Sequence, residues 1–189
     1  AQRLIHGMVD NGVKVLVITT ELTTRGWIEQ MESIGYGMTN AISEGRVMVL
    51  SRYGTVADAR QDVTLQEVLS SPAIPAADVI VLDSASSLMP EGGTKADHHT
   101  LIQQLRKIAS DGRSFMLCAD PEEMDHTLLH TLRASAEVVL DLDNAMIGGE
   151  IKRNIIITRF LRAAGPIQTS IGWRVEPGMG FIVDITAVS

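Results

Sequence analysis

The chain has 189 residues, enough for one domain around a single sizeable core, and its 45% hydrophobic content includes only 4% aromatics, which suits an α/β core of Val, Ile, Leu, Met and Ala. A net charge of -7 and a pI near 5.2 count against a chain built to coat nucleic acid or anionic lipid. The one cysteine, Cys118, excludes an internal disulfide; no apolar run reaches the roughly 18 residues of a membrane span and the start is not that of a signal peptide, so a cytoplasmic domain is expected.

Helical patterns alternate with short β-branched runs along the chain, a rhythm that implies a parallel sheet between helices. Leu4, Ile5, Met8 and Val9 recur at helical spacing, and Asn11-Gly12 closes that helix. Val13 to Ile18 reads as a buried strand. Thr23 or Thr24 then caps a helix whose apolar face is Trp27, Ile28, Met31 and Ile34, ending at Gly35. Val47 to Leu50 is a second strand, Ser51 to Asp62 a polar loop, and Thr64 to Ser70 a short helix ended by Pro72 and Pro75. Val79-Ile80-Val81-Leu82 is a third strand, closed by Asp83-Ser84. A loop, Pro90 to Thr94, leads into a long helix carrying Leu101, Ile102, Leu105 and Ile108. Ser114 to Ala119 is a fourth strand, and Leu128, Leu129 and Leu132 mark the helix after it. Beyond Ala136 the pattern changes to two hairpins. One has arms Val138–Leu142 and Ile151–Phe160 around Gly148-Gly149; the other has arms Trp173–Val175 and Phe181–Ile185 around Glu176 to Gly180.

The sharpest chemical signal is the apolar strand that ends in Asp83. In a parallel sheet such a carboxylate emerges at the C-terminal edge, where ligands of open α/β sheets sit and where it can hold Mg²⁺ beside nucleotide phosphates, with Ser84 alongside. On its own it equally describes a strand ending in a turn-forming Asp-Ser. Glu21 follows another apolar strand and belongs on the same rim if the two strands are parallel neighbours; there it would orient or deprotonate an attacking water. The plain alternative is a Glu near a helix start. Nothing in the sequence fits G-x-x-x-x-G-K-[ST], the loop that cradles phosphates. In Gly92-Gly93-Thr94-Lys95-Ala96 the Lys follows Thr and no Ser or Thr comes next, so it reads as a mobile loop. The first strand and its phosphate loop are expected upstream of Ala1, making residues 1–189 a single RecA-like domain lacking that start. Asp97-His98-His99 reads as a solvated helix start rather than a metal site, because adjacent residues point to different sides. Cys118 reads as a packing residue. Arg153, Arg159 and Arg162 cluster near the second hairpin; arginines of this kind are solvated, paired, or aimed at a neighbouring subunit's phosphate.

Val17-Ile18-Thr19-Thr20-Glu21-Leu22-Thr23-Thr24, Gln30 to Tyr36, Val81 to Leu88, Gly148-Gly149 and Trp173 to Gly180 together resemble FlaH, the accessory ATPase-like family of the archaeal flagellum (archaellum) in the KaiC-like branch of the RecA superfamily. The resemblance implies a mostly parallel sheet flanked by helices, extended by C-terminal antiparallel hairpins. It makes Asp83 the Walker B acid and Mg²⁺ ligand, Ser84 its neighbour at the nucleotide, and Glu21 the catalytic or water-positioning carboxylate. It also places Arg159 and Arg162 where such ATPases present basic groups across a subunit interface. It further implies ATP and Mg²⁺ as cofactors and little turnover. The expected partners are a homo-oligomeric ring, the archaellum motor ATPase and membrane platform proteins on the cytoplasmic side of the membrane, with neither nucleic acid nor insertion into the bilayer. An active KaiC- or RecA-type ATPase and a scaffold that binds no nucleotide are the other readings.

Overall fold

The computed structural model describes residues 1–53, 64–89 and 94–184. The sequence-derived loops at 51–62 and 90–94 therefore fall largely outside the described residues, as does Ile185. No helix among those residues is long and apolar enough to cross a membrane.

Eight strands and six α-helices are described: α1 (Gln2–Asp10), β1 (Val15–Thr19), α2 (Thr24–Ser33), α3 (Thr39–Ser43), β2 (Val47–Ser51), α4 (Leu65–Leu69), β3 (Val79–Asp83), α5 (Lys95–Ser110), β4 (Ser114–Leu117), α6 (His126–Ser135), β5 (Val138–Ile147), β6 (Glu150–Phe160), β7 (Ser170–Glu176) and β8 (Gly180–Val183). Strands β2-β1-β3-β4 form a parallel sheet in that order. All five residues of β1 are buried, as expected of a central parallel strand with helices on both faces. Alternation divides its side chains. Val15 and Val17 join Val47 and Val81 against Ile5, Val9, Trp27 and Met31 of α1 and α2. Leu16 and Ile18 join Ile80 and Leu82 against Leu65, Leu101, Leu105 and Leu128 on the other side.

Local chemistry sets the helix starts. The Thr23 hydroxyl accepts from the Gly26 N–H, and Thr64 and Thr94 form reciprocal capping boxes with Glu67 and Asp97. The five-residue α3, between Gly37 and Gly45, escapes the sequence pattern because one turn is too short to show a period.

The two hairpins pair with each other rather than with β4, giving a separate antiparallel sheet in the order β5-β6-β7-β8. The first hairpin is longer than its sequence pattern suggests, running to Ile147, because Asn144 and Ala145 break the apolar run without breaking the ladder. Leu142, Met146, Ile151 and Val183 remain exposed on this sheet. Its attachment to the rest is specific. Arg133 of α6 forms an ion pair with Asp141, whose carboxylate Thr158 also hydrogen-bonds. That pairing holds the Asp141 carboxyl below its ordinary range. On the opposite side the Gly178 N–H donates to the Ser33 carbonyl at 3.1 Å, and the Phe181 N–H donates to the Tyr36 hydroxyl at 2.6 Å.

This seam is closed by glycine. Gly35 (φ +81°) sits so close that a Cβ would overlap the Gly178 carbonyl, and a Cβ on Gly180 would enter the Tyr36 ring. Gly35→Ala is expected to lower unfolding free energy by about 2 kcal/mol in urea titrations, from the left-handed backbone and the overlap together. Gly37→Ala, with nothing within 4 Å of its Cβ position, should stay within about 0.5 kcal/mol of the parent.

Candidate functional site

The C-terminal edge of the parallel sheet gathers the polar residues singled out in the sequence. Strands β1 and β3 pair in register, so Thr19 lies opposite Asp83, and Glu21 follows two residues beyond Thr19 at the same rim. Glu21 is exposed; Asp83 and Ser84 are half-buried. Both acidic positions therefore lie on one edge, on neighbouring strand ends.

Hydrogen bonds tie this rim together. The Thr20 N–H donates to the Asp83 carbonyl at 2.9 Å. The Thr20 hydroxyl donates to the Ser84 carbonyl at 3.1 Å and accepts from the Ser84 N–H at 3.0 Å. On the far side of Glu21, the Leu22 N–H donates to the Thr19 hydroxyl at 3.2 Å, and the Ser51 hydroxyl donates to the Leu22 carbonyl at 2.6 Å. Toward β4, the Ser86 hydroxyl accepts from the Asp120 N–H at 2.8 Å and lies 3.3 Å from the Ser84 hydroxyl. The Ala85 N–H donates to the Cys118 carbonyl at 2.6 Å. Four strand ends are laced into one edge.

Cys118 is half-buried at this rim, not an ordinary core residue. Burial, the nearby negative charge of Asp83, a hydrogen bond to its carboxylate and the charge of Glu21 push the thiol up to about 11. The thiol thus senses both acidic side chains. Neither Cys118 nor Thr20 was legible as a site residue, since Cys118 reads as part of an apolar strand and Thr20 as the turn after one until their neighbours are placed.

The predicted arginines lie elsewhere. Arg159 stands near the end of β6 opposite Val139, its buried Nε without a hydrogen-bond partner. Arg162, at φ +61°, pairs with Glu137 of its own chain. No hydrogen bond or ion pair among the described residues links either to Asp83. Arg153 lies over the Trp173 ring, 6.0 Å from its centroid. The histidines depart from expectation: His99 is exposed beside Gln103, but His98 is buried, its Nδ1 4.0 Å from Asp125, so the start of α5 packs inward on α6. Among the described residues no three His, Cys, Asp or Glu side chains converge in a way that could hold a metal ion.

No family model matches the chain. It is 29% identical over 189 residues to the archaeal flagellar ATP-binding protein FlaH of Methanocaldococcus jannaschii, covering all of this chain and 81% of that protein. The FlaH of Methanococcus voltae is 27% identical over 190 residues, again across the whole chain and 83% of the relative. The crystal structure of the Methanocaldococcus jannaschii FlaH superposes with a TM-score of 0.86 over 97% of this chain and 82% of that one. The chain is similar to FlaH over its whole length. A KaiC-like protein of Pyrococcus horikoshii, 18% identical with a TM-score of 0.72 over 97% of the chain, shares the RecA-like fold. The segments that carry the FlaH resemblance meet in space: Ser33, Gly35 and Tyr36 abut Gly178, Gly180 and Phe181, and Thr20 abuts Asp83 and Ser84.

Because Cys118 is the chain's one cysteine, its titration reports on this rim without interference from other thiols. Asp83→Asn removes a negative charge beside the thiol, so the thiolate is opposed less and the thiol should titrate below about 11. The pH dependence of the alkylation rate measures the shift.

Proposed function

We propose that this chain binds ATP and acts as a FlaH-like accessory subunit of the archaeal flagellar motor, with nucleotide occupancy regulating ring assembly and its hold on the motor ATPase. The observation that carries the reading is the placement of Glu21 and Asp83 on one rim of neighbouring parallel strands, in a chain similar to proteins named as ATP-binding. Ligands of open α/β sheets occupy that edge.

In this reading Asp83 holds Mg²⁺ and Ser84 lies beside the phosphates. The donor set fits this ion in a limited way. Mg²⁺ is commonly held by one or two carboxylates, with phosphate oxygens and water completing its shell. Since no three potential metal-binding side chains converge among the described residues, the phosphates must supply part of that shell. Bound Mg²⁺ would offset phosphate charge. Glu21, exposed and held between two anchored neighbours, orients or deprotonates water, and slow turnover is expected. This reading assigns the half-buried Arg159 to a neighbouring subunit's phosphate, which its buried Nε does not face, whereas Arg162 would first have to leave Glu137. The exposed apolar side chains of the β5–β8 sheet offer a neighbouring copy surface to cover.

Titration with a fluorescent ATP analogue, with and without Mg²⁺, tests the assignment. Asp83→Asn should weaken Mg²⁺-dependent binding by about ten- to a hundredfold, the scale of a lost contact to a charged group. Glu21→Gln should leave binding within about threefold and abolish residual phosphate release. Light scattering with and without ATP reads the assembly state. If ATP with Mg²⁺ binds neither residues 1–189 nor a form with the first strand and phosphate loop restored ahead of residue 1, the scaffold reading stands instead.

A further inference from the structure

We propose that Thr20 is a positioning residue whose hydroxyl holds the Glu21 and Asp83 carboxylates in fixed relation across the seam between β1 and β3. The inference rests on the nucleotide reading only for what the two carboxylates do, not for how they are held.

Thr20 is 4% exposed. A hydroxyl in that environment is costly unless both its donor and acceptor capacities are used, and a valine would fill the same space without the cost. Here both are used on one residue of the neighbouring segment. The hydroxyl donates to the Ser84 carbonyl and accepts from the Ser84 N–H, while the Thr20 N–H takes the Asp83 carbonyl. Three hydrogen bonds thus join residue 20 to residues 83 and 84, at the point where strand pairing ends and the chains would otherwise diverge.

The consequence falls on both acidic residues. Asp83 is bonded through its own carbonyl and through the following residue. Glu21 is bracketed, with Thr20 anchored on one side and Leu22 on the other, bonded to the Thr19 and Ser51 hydroxyls. The backbone of Glu21 is held although its side chain is exposed. Cys118 lies beside Asp83, its thiol pushed up by burial first and by the two carboxylates after it.

Thr20→Val removes the hydroxyl and keeps the volume; Thr20→Ser keeps the hydroxyl and trims a methyl. If Thr20 positions the rim, the valine variant should titrate Cys118 below the parent's value of about 11, because Asp83 and Glu21 oppose the thiolate less when they drift. It should also bind Mg²⁺-ATP about five- to tenfold more weakly, and the serine variant should return both readouts to within about twofold of the parent. The thiol arm needs no nucleotide. A valine variant with the parent's thiol titration overturns the proposal, as does a serine variant that behaves like the valine one, since packing would then be the cause. A shifted thiol with Mg²⁺-ATP binding unchanged in both Thr20→Val and Asp83→Asn upholds the positioning role and removes ATP from the rim.

Discussion

In-register parallel pairing of β1 with β3 is the constraint on which the rest of this structure depends. It sets Thr19 opposite Asp83 and so delivers Glu21, Thr20 and Ser84 to a single edge. The pairing is enforced from both faces of the sheet. Val15 and Val17 face one helical layer and Leu16 and Ile18 the other, so slipping the register by one residue would exchange two differently shaped cores. Side-chain packing far from the rim therefore fixes the relation of two polar residues at the rim.

The rim also shows how a polar edge can be built at the end of an apolar strand. Thr19, Thr20, Ser51 and Ser86 are short side chains whose hydroxyls satisfy backbone groups that strand pairing leaves open. Their bonds tie down the backbone around an exposed Glu21 and a half-buried Asp83. Cys118 registers the result: its thiol is disfavoured as an anion by burial first and by the two acidic neighbours after it.

The antiparallel sheet joins the parallel core through two small attachments of different character. On one side the Tyr36 hydroxyl and the close backbone approach of Gly35 to Gly178 leave no room for side chains. On the other, Arg133, Asp141 and Thr158 form a charge-assisted network. The folded-state Asp141 carboxyl lies below its unfolded value, so this contribution is present at neutral pH and is lost as pH falls through the folded value. The exposed Leu142, Met146, Ile151 and Val183 lie on the same sheet, so apolar surface and the basic Arg159 share one part of the molecule.

Much of this protein was written locally. Apolar runs of four or five residues, threonine caps at Thr23, Thr64 and Thr94, and Gly148-Gly149 between two alternating arms determined element types and their order, because propensity, capping and turn chemistry act within a few residues. The acid at the end of β3 was legible for the same reason, and so was the likeness of Thr19 to Thr24 and Trp173 to Gly180 to FlaH. Tertiary structure alone decided that β1 and β3 are neighbours, that the hairpins form a sheet apart from β4, that His98 turns inward, and that Cys118 and Thr20 belong to the rim. These outcomes depend on contacts between residues as much as 64 positions apart, such as Thr20 with Ser84. A local pattern carries no record of which distant segment will supply a hydroxyl's partner or cover an apolar face; only packing of the whole chain selects it.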